Sequence, residues 1–172
     1  MMSTKQSIAV WWIRRDLRLK NNPALNQALK DGYSILPLFI FDPVIENSSR
    51  MGTNRIEFLQ GGLLNLKDKI QMSDGNLILR RGEPVQVLRT ALEESTAERI
   101  FAEGDLTPYA RRRDRKVSSQ LPLELISGAT YSPPDQITAK SGDPYQVFSY
   151  YRKKWKELNL KNLRSVRLTN PP

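Results

Sequence analysis

The feature that most constrains this chain is an alternation between short apolar runs rich in β-forming residues and segments whose apolar residues recur at helical spacing. The runs are Ile8 to Ile13, Ile35 to Phe41, Leu77 to Leu79, Arg99 to Ala102 and Leu123 to Ile126, short enough to read as buried strands. Between them, Ala24, Leu25, Ala28 and Leu29 make one stripe. Ile56, Leu59, Leu63, Leu66 and Ile70 step by three and four, and so do Val85, Leu88 and Leu92. Each stripe predicts an amphipathic helix with one buried face. Pro84 and Pro108 mark helix starts, where a missing amide donor costs nothing. Parallel strands need crossover connections, and these are right-handed. The expected fold class is therefore α/β: a doubly wound, Rossmann-like, five-stranded parallel sheet with helices on both faces.

At 172 residues, 39% of them apolar, the chain can bury a core without cross-links. Residues 1–130 are expected to form the α/β domain. Residues 131–158 are expected to be an ordered loop, YSPPDQITAKSGDPYQ, and a basic aromatic helix from Val147 to Leu158 that close the same domain. Residues 159–172 lack a period and read as the start of a linker to a further domain. In the YYRKKWK run the aromatics are expected to pack on the sheet while the lysines stay wet.

The chain has no cysteine and no histidine. That excludes a disulfide framework, a thiol nucleophile, a Ser-His-Asp triad and the usual zinc sites. No metal and no catalytic residue is expected. The run Ile8 to Ile13 is too short for a signal-peptide core or a membrane span, which predicts a cytoplasmic protein without a membrane partner. The net charge is +9. Its excess falls at the two ends, and this suits either a polyanionic partner or a solvated surface.

In an open α/β sheet, ligands bind outside the carboxyl ends of the strands, where strand order reverses. The residues there are Arg14, Arg15 and Asp16 after the first run, Asp42 and Pro43 after the second, and Glu103, Gly104 and Asp105 after the fourth. The first turn, RRDLRLKNN, carries no glycine, so neither a dinucleotide GxGxxG loop nor a Walker loop is present.

The segment WIRRDLRLKNNPAL (Trp12 to Leu25) resembles the opening signature of the photolyase/cryptochrome family. The likeness continues in order through FDP with Asp42 and Pro43, Arg55 with Phe58 and Leu59, Gly82-Glu83-Pro84, DLTPYARRRDRKV from Asp105 to Val117, and SPPDQITAKSGDPYQVF with Tyr151 and Trp155. Six motifs in register make it specific. It covers only the family's N-terminal α/β domain, which binds an antenna chromophore. The resemblance implies light harvesting for a DNA photolyase or a cryptochrome-type photoreceptor, with excitation passed to FAD in a helical C-terminal domain. Dimer repair on DNA would belong to the intact protein, a deoxyribodipyrimidine photo-lyase, and this chain alone is expected to be inactive.

Under the resemblance, the candidate chromophore contacts are Arg14, Arg15, Phe41, Met51, Arg55, Asp105 and Thr107. Arg14, Arg15, Asp16 and Arg18 also read as a structural ion-pair cluster, and Asp105 as a turn or cap residue. Thr107 stands where the family often has Glu and is a natural N-cap, which weakens one expected contact. The family's folate-type site resembles an Asn-Glu pair, here Tyr109 and Ala110, and neither can replace the carboxylate. The expected pigment is 8-hydroxy-5-deazaflavin, then FMN, with methenyltetrahydrofolate disfavoured. The alternatives are a stand-alone nucleotide-binding module and a basic nucleic-acid-binding domain. For RRRDRK (Arg111 to Lys116) a solvated face is expected.

Overall fold

The computed structural model describes residues 7–49, 51–128, 130 and 136–163, with side chains described through 158. The chain divides into two compact units, Met1–Ala129 and Thr130–Pro172. In the first, strands β1 (Ile8–Ile13), β2 (Ser34–Phe41), β3 (Ile78–Arg81), β4 (Arg99–Glu103) and β5 (Leu123–Ile126) alternate with helices α1 (Pro23–Lys30), α2 (Pro43–Glu46), α3 (Thr53–Gln71), α4 (Pro84–Ser95) and α5 (Pro108–Ser118). The sheet order is β3-β2-β1-β4-β5 and every pairing is parallel. This is the doubly wound architecture expected from the alternation of periods.

Strand alternation builds two cores. Ala9, Trp11, Ile13, Phe39 and Phe101 face α1 and α3, where Ala24, Leu25, Leu63 and Leu66 meet them. Val10, Trp12, Leu38, Ile40 and Ile100 face the other way, against Val85 and Leu88 of α4 and Val117 of α5. β1 is covered on both faces and is almost wholly apolar, as a central parallel strand must be.

The helix starts are built alike. Asn22, Asp42, Glu83 and Thr107 precede prolines 23, 43, 84 and 108, and each side chain accepts an amide from the first turn. Before α4, Gly82 has φ +151 and donates its amide to Phe41 O at 3.1 Å. A Cβ there would press on Val87 at 2.9 Å, so this turn requires glycine.

The structure departs from the sequence reading at several elements. β3 is displaced to Ile78–Arg81, because an edge strand is defined by its ladder to Leu38–Phe41 and tolerates exposed arginines. α2 was too short to show a period. Leu29 is 54% exposed; at 100° per residue it lies farthest round the α1 arc from Ala24 and Ala28. Ile56 is likewise exposed, towards the start of α3.

In the second unit, Thr138 and Pro144 form an isolated antiparallel bridge within the expected loop, of which 131–135 lie outside the described residues. α6 (Phe148–Leu163) begins one residue after the expected start and continues past Leu158. The periodless stretch thus opens as helix, and residues 164–172 lie outside the described ones. Tyr150 is 63% exposed and Trp155 also reaches the surface, while Phe148 and Tyr151 stack at 6.4 Å. Among the described residues, no helix is long and apolar enough to cross a membrane, and no cluster of acidic residues could hold a metal ion.

Candidate functional site

Strand order reverses between β1 and β4, and at the carboxyl ends of β1, β2 and β4 lies a cleft of about 410 Å³. That is within the size range of small-molecule sites. Phe39, Ile45, Met51 and Leu59 give it apolar walls, and Arg15, Arg55, Asp105 and Thr107 bring polar groups to it.

Of the seven contacts named from sequence, Arg14, Arg15, Met51, Arg55, Asp105 and Thr107 line this cleft. Phe41 is not among the residues lining this cleft. Its ring packs against the α1/α3 core, 5.1 Å from Phe39 and nearly perpendicular to it. Phe39 stands opposite Ile13 of β1, whereas Phe41 lies beyond the paired end of β1 with only Arg81 beside it. The inner ring therefore borders the cleft.

Arg14 is a wall element held from behind. One guanidinium nitrogen donates to both oxygens of Asp114 at 2.7 and 2.8 Å, and another donates to the Glu103 carbonyl. Arg113 binds the same carboxylate at 3.0 Å. Both guanidiniums lie 4.8 Å from the ring centroid of Trp12, a buried indole that also lines the cleft. Burial pulls the Arg14 pKa down, and Asp114 opposes it. For Arg14 the ion-pair reading is the one observed.

Asp105 is set differently. Its carboxylate accepts the Thr107 amide at 2.9 Å and faces Arg15 at 3.4 Å. Burial works to raise its pKa, but the Thr107 amide and the Arg15 charge outweigh it, leaving the group below its ordinary value and ionised. Thr107 caps α5, accepting the Ala110 amide at 3.4 Å. Arg15 is 76% exposed, so its charge is presented at the rim. Behind it, Asn22 donates to the Asp16 carboxylate at 2.7 Å while capping α1. Asp16 is thus structural.

At the folate-type positions, the Tyr109 hydroxyl donates to the buried Asp42 carboxylate, and Ala110 is buried. Burial first, and then that bond, push the tyrosine pKa up, so it remains a neutral donor. This Asp42–Tyr109 link was missed from sequence, since 67 residues separate the two. For Asp114 the sequence holds a signal: it stands in register with Ala110 and Val117 on the buried stripe of α5. Arg111, Arg112, Arg115 and Lys116 are exposed, as a solvated face requires.

The family model for DNA photolyase matches residues 9–170. A deoxyribodipyrimidine photo-lyase of Synechococcus is 34% identical over 152 residues, covering 85% of this chain and 31% of the relative. Cryptochrome-1 of Drosophila melanogaster is 32% identical, covering 86% and 30%. This chain thus spans about a third of the length of these curated relatives. Among solved structures, a class III photolyase of Agrobacterium tumefaciens superposes with a TM-score of 0.77 at 25% identity, covering 91% of this chain and 32% of its own. A cryptochrome of Synechocystis superposes at 0.80 and 24% identity, covering 97% and 36%, a likeness of fold alone. With nearly the whole chain matched by the family model and the cleft standing where the doubly wound sheet reverses, this chain belongs to the DNA photolyase family.

Proposed function

We propose that residues 1–130 bind an antenna chromophore in the cleft at the ends of β1, β2 and β4, and that the excitation passes to FAD in a helical domain of the intact protein. The observation that carries this reading is the cleft itself: apolar walls from Phe39, Met51 and Leu59, with Arg15, Arg55 and Asp105 at its polar side. That combination suits a flat, largely apolar ring system with polar edges. Phe39, Met51 and Leu59 would enclose the ring, Arg55 and Arg15 would pair with its electron-rich edge, and Asp105 would accept from a ring or tail donor. The pigment supplies light absorption; the chain supplies binding, orientation and electrostatics.

The pigment we favour is 8-hydroxy-5-deazaflavin, with FMN second. Methenyltetrahydrofolate is disfavoured, because the Tyr109 hydroxyl is committed to Asp42 and Ala110 is buried. In the intact, cytoplasmic protein the activity would be light-driven splitting of pyrimidine dimers on DNA, or photoreception of the cryptochrome type. The test is to titrate the chain with each of the three pigments and follow their spectra. Saturable binding of the deazaflavin is expected; failure of both flavin-type pigments beside tight binding of the folate would reverse the assignment.

A further inference from the structure

Part of the wall of the main cleft is a tryptophan. Trp12 borders that space near the end of β1 and is 1% exposed. It otherwise belongs to the apolar cluster of Val10, Leu38, Ile40, Val85 and Leu88. Indole is among the most easily oxidised side chains, and an excited flavin-type ring is a one-electron oxidant. An indole beside such a ring gives up an electron: the indole becomes a radical cation, the ring a radical anion, and return of the electron dissipates the excitation as heat. The transfer needs proximity rather than an exposed surface, so the burial of Trp12 does not prevent it. A light-harvesting site walled by tryptophan has a built-in leak.

The groups around Trp12 oppose that leak. The guanidiniums of Arg14 and Arg113 each lie 4.8 Å from its ring centroid. Both pair with Asp114, at 2.7 and 3.0 Å. Two guanidiniums against one carboxylate leave a positive charge in excess, and arginine keeps its proton in folded proteins. Towards the neutral indole the cations are attractive, through the electron-rich face of the ring. Towards a radical cation the excess charge is repulsive. All three side chains are under a tenth exposed, so little water screens it.

We propose that Arg14 and Arg113 insulate the cleft electronically: by holding an excess positive charge against Trp12, they keep the indole from donating an electron to the excited ring, so that the excitation survives to be passed on. The inference rests on the reading of the main cleft as a chromophore site. Arg113 sets the excess, because without it Arg14 and Asp114 remain a neutral pair. That pair also keeps the Asp114 carboxylate satisfied when Arg113 is replaced.

The experiment loads the 172-residue chain in turn with 8-hydroxy-5-deazaflavin and with FMN, and measures the fluorescence lifetime of the bound pigment at saturation. Trp12→Phe alone should leave the lifetime unchanged, because the indole is already silent. Arg113→Gln should shorten it by about two-fold or more, the loss of a unit charge at this range favouring oxidation of the indole. Arg113→Lys, which keeps the charge, should stay close to the wild type. Arg113→Gln combined with Trp12→Phe should restore the wild-type lifetime. Tyr109 also lines the cleft but is present in every protein compared, so its contribution cancels. If the Trp12 variants do not fold, transient absorption takes their place: a tryptophan radical should follow excitation in Arg113→Gln and not in the wild type. A lengthened lifetime in Trp12→Phe, an unchanged one in Arg113→Gln, equal shortening by lysine and glutamine, or an equal radical yield in the wild type would overturn the insulation and leave the cleft reading standing. Failure of both pigments to bind would overturn both.

Discussion

The residue that decides most about the site is Asp114. Its side chain is 4% exposed and those of its two partners, Arg14 and Arg113, are 8% and 9% exposed, so a carboxylate and two guanidiniums share a buried space. Such a cluster is held by mutual satisfaction rather than by net stabilisation. Removing the carboxylate alone leaves two buried guanidiniums beside each other with no counter-charge between them. Asp114→Ala should therefore cost about 3–5 kcal/mol of unfolding free energy in urea, whereas replacing Arg14, Arg113 and Asp114 together by methionine should cost less than the single change. A loss below about 1 kcal/mol for Asp114→Ala would mean that the cluster is solvated, as surface pairs are. Which residues gather at the site was readable from the strand-end rule. What Arg14 does there was not, because its partner lies 100 positions away on α5.

At the scale of elements, strand ends and helix caps carry the architecture, and one cap is strained. α4 ends on Thr96 with φ 57 and ψ 26, a left-handed conformation that a β-branched side chain adopts at a cost. Glycine pays no such steric cost, so Thr96→Gly should raise stability by about 1 kcal/mol, read as a higher urea midpoint. A lowered midpoint would contradict the left-handed cap. β1 and β5 were legible to the residue because each is bounded by a change of residue character at both ends. β3 was not, since its last two residues are exposed arginines whose strand state depends on pairing with β2. α2, with four residues, carries no periodicity, although Asp42 followed by Pro43 spells a helix start.

For the whole molecule, the alternation of periods and the turn chemistry were enough to specify a doubly wound sheet, and the sheet's reversal between β1 and β4 specifies where its cleft lies. The interior of the cleft was less legible. Phe39 replaces Phe41 on its wall because the lengths of β1 and β2 differ, and the Asp42–Tyr109 bond joins segments whose approach only the fold creates. The central claim is that this cleft holds a flavin-like antenna pigment. The most direct measurement is the absorption spectrum of this 172-residue chain purified from its own host, free of the FAD of the intact protein. The account predicts a visible-region band from a bound deazaflavin or flavin that is weakened when Met51 and Arg55 are both changed to glutamate, which places negative charge on one wall and removes the cation at the polar edge. A protein that carries a folate spectrum instead, or a flavin band indifferent to those two changes, would contradict it.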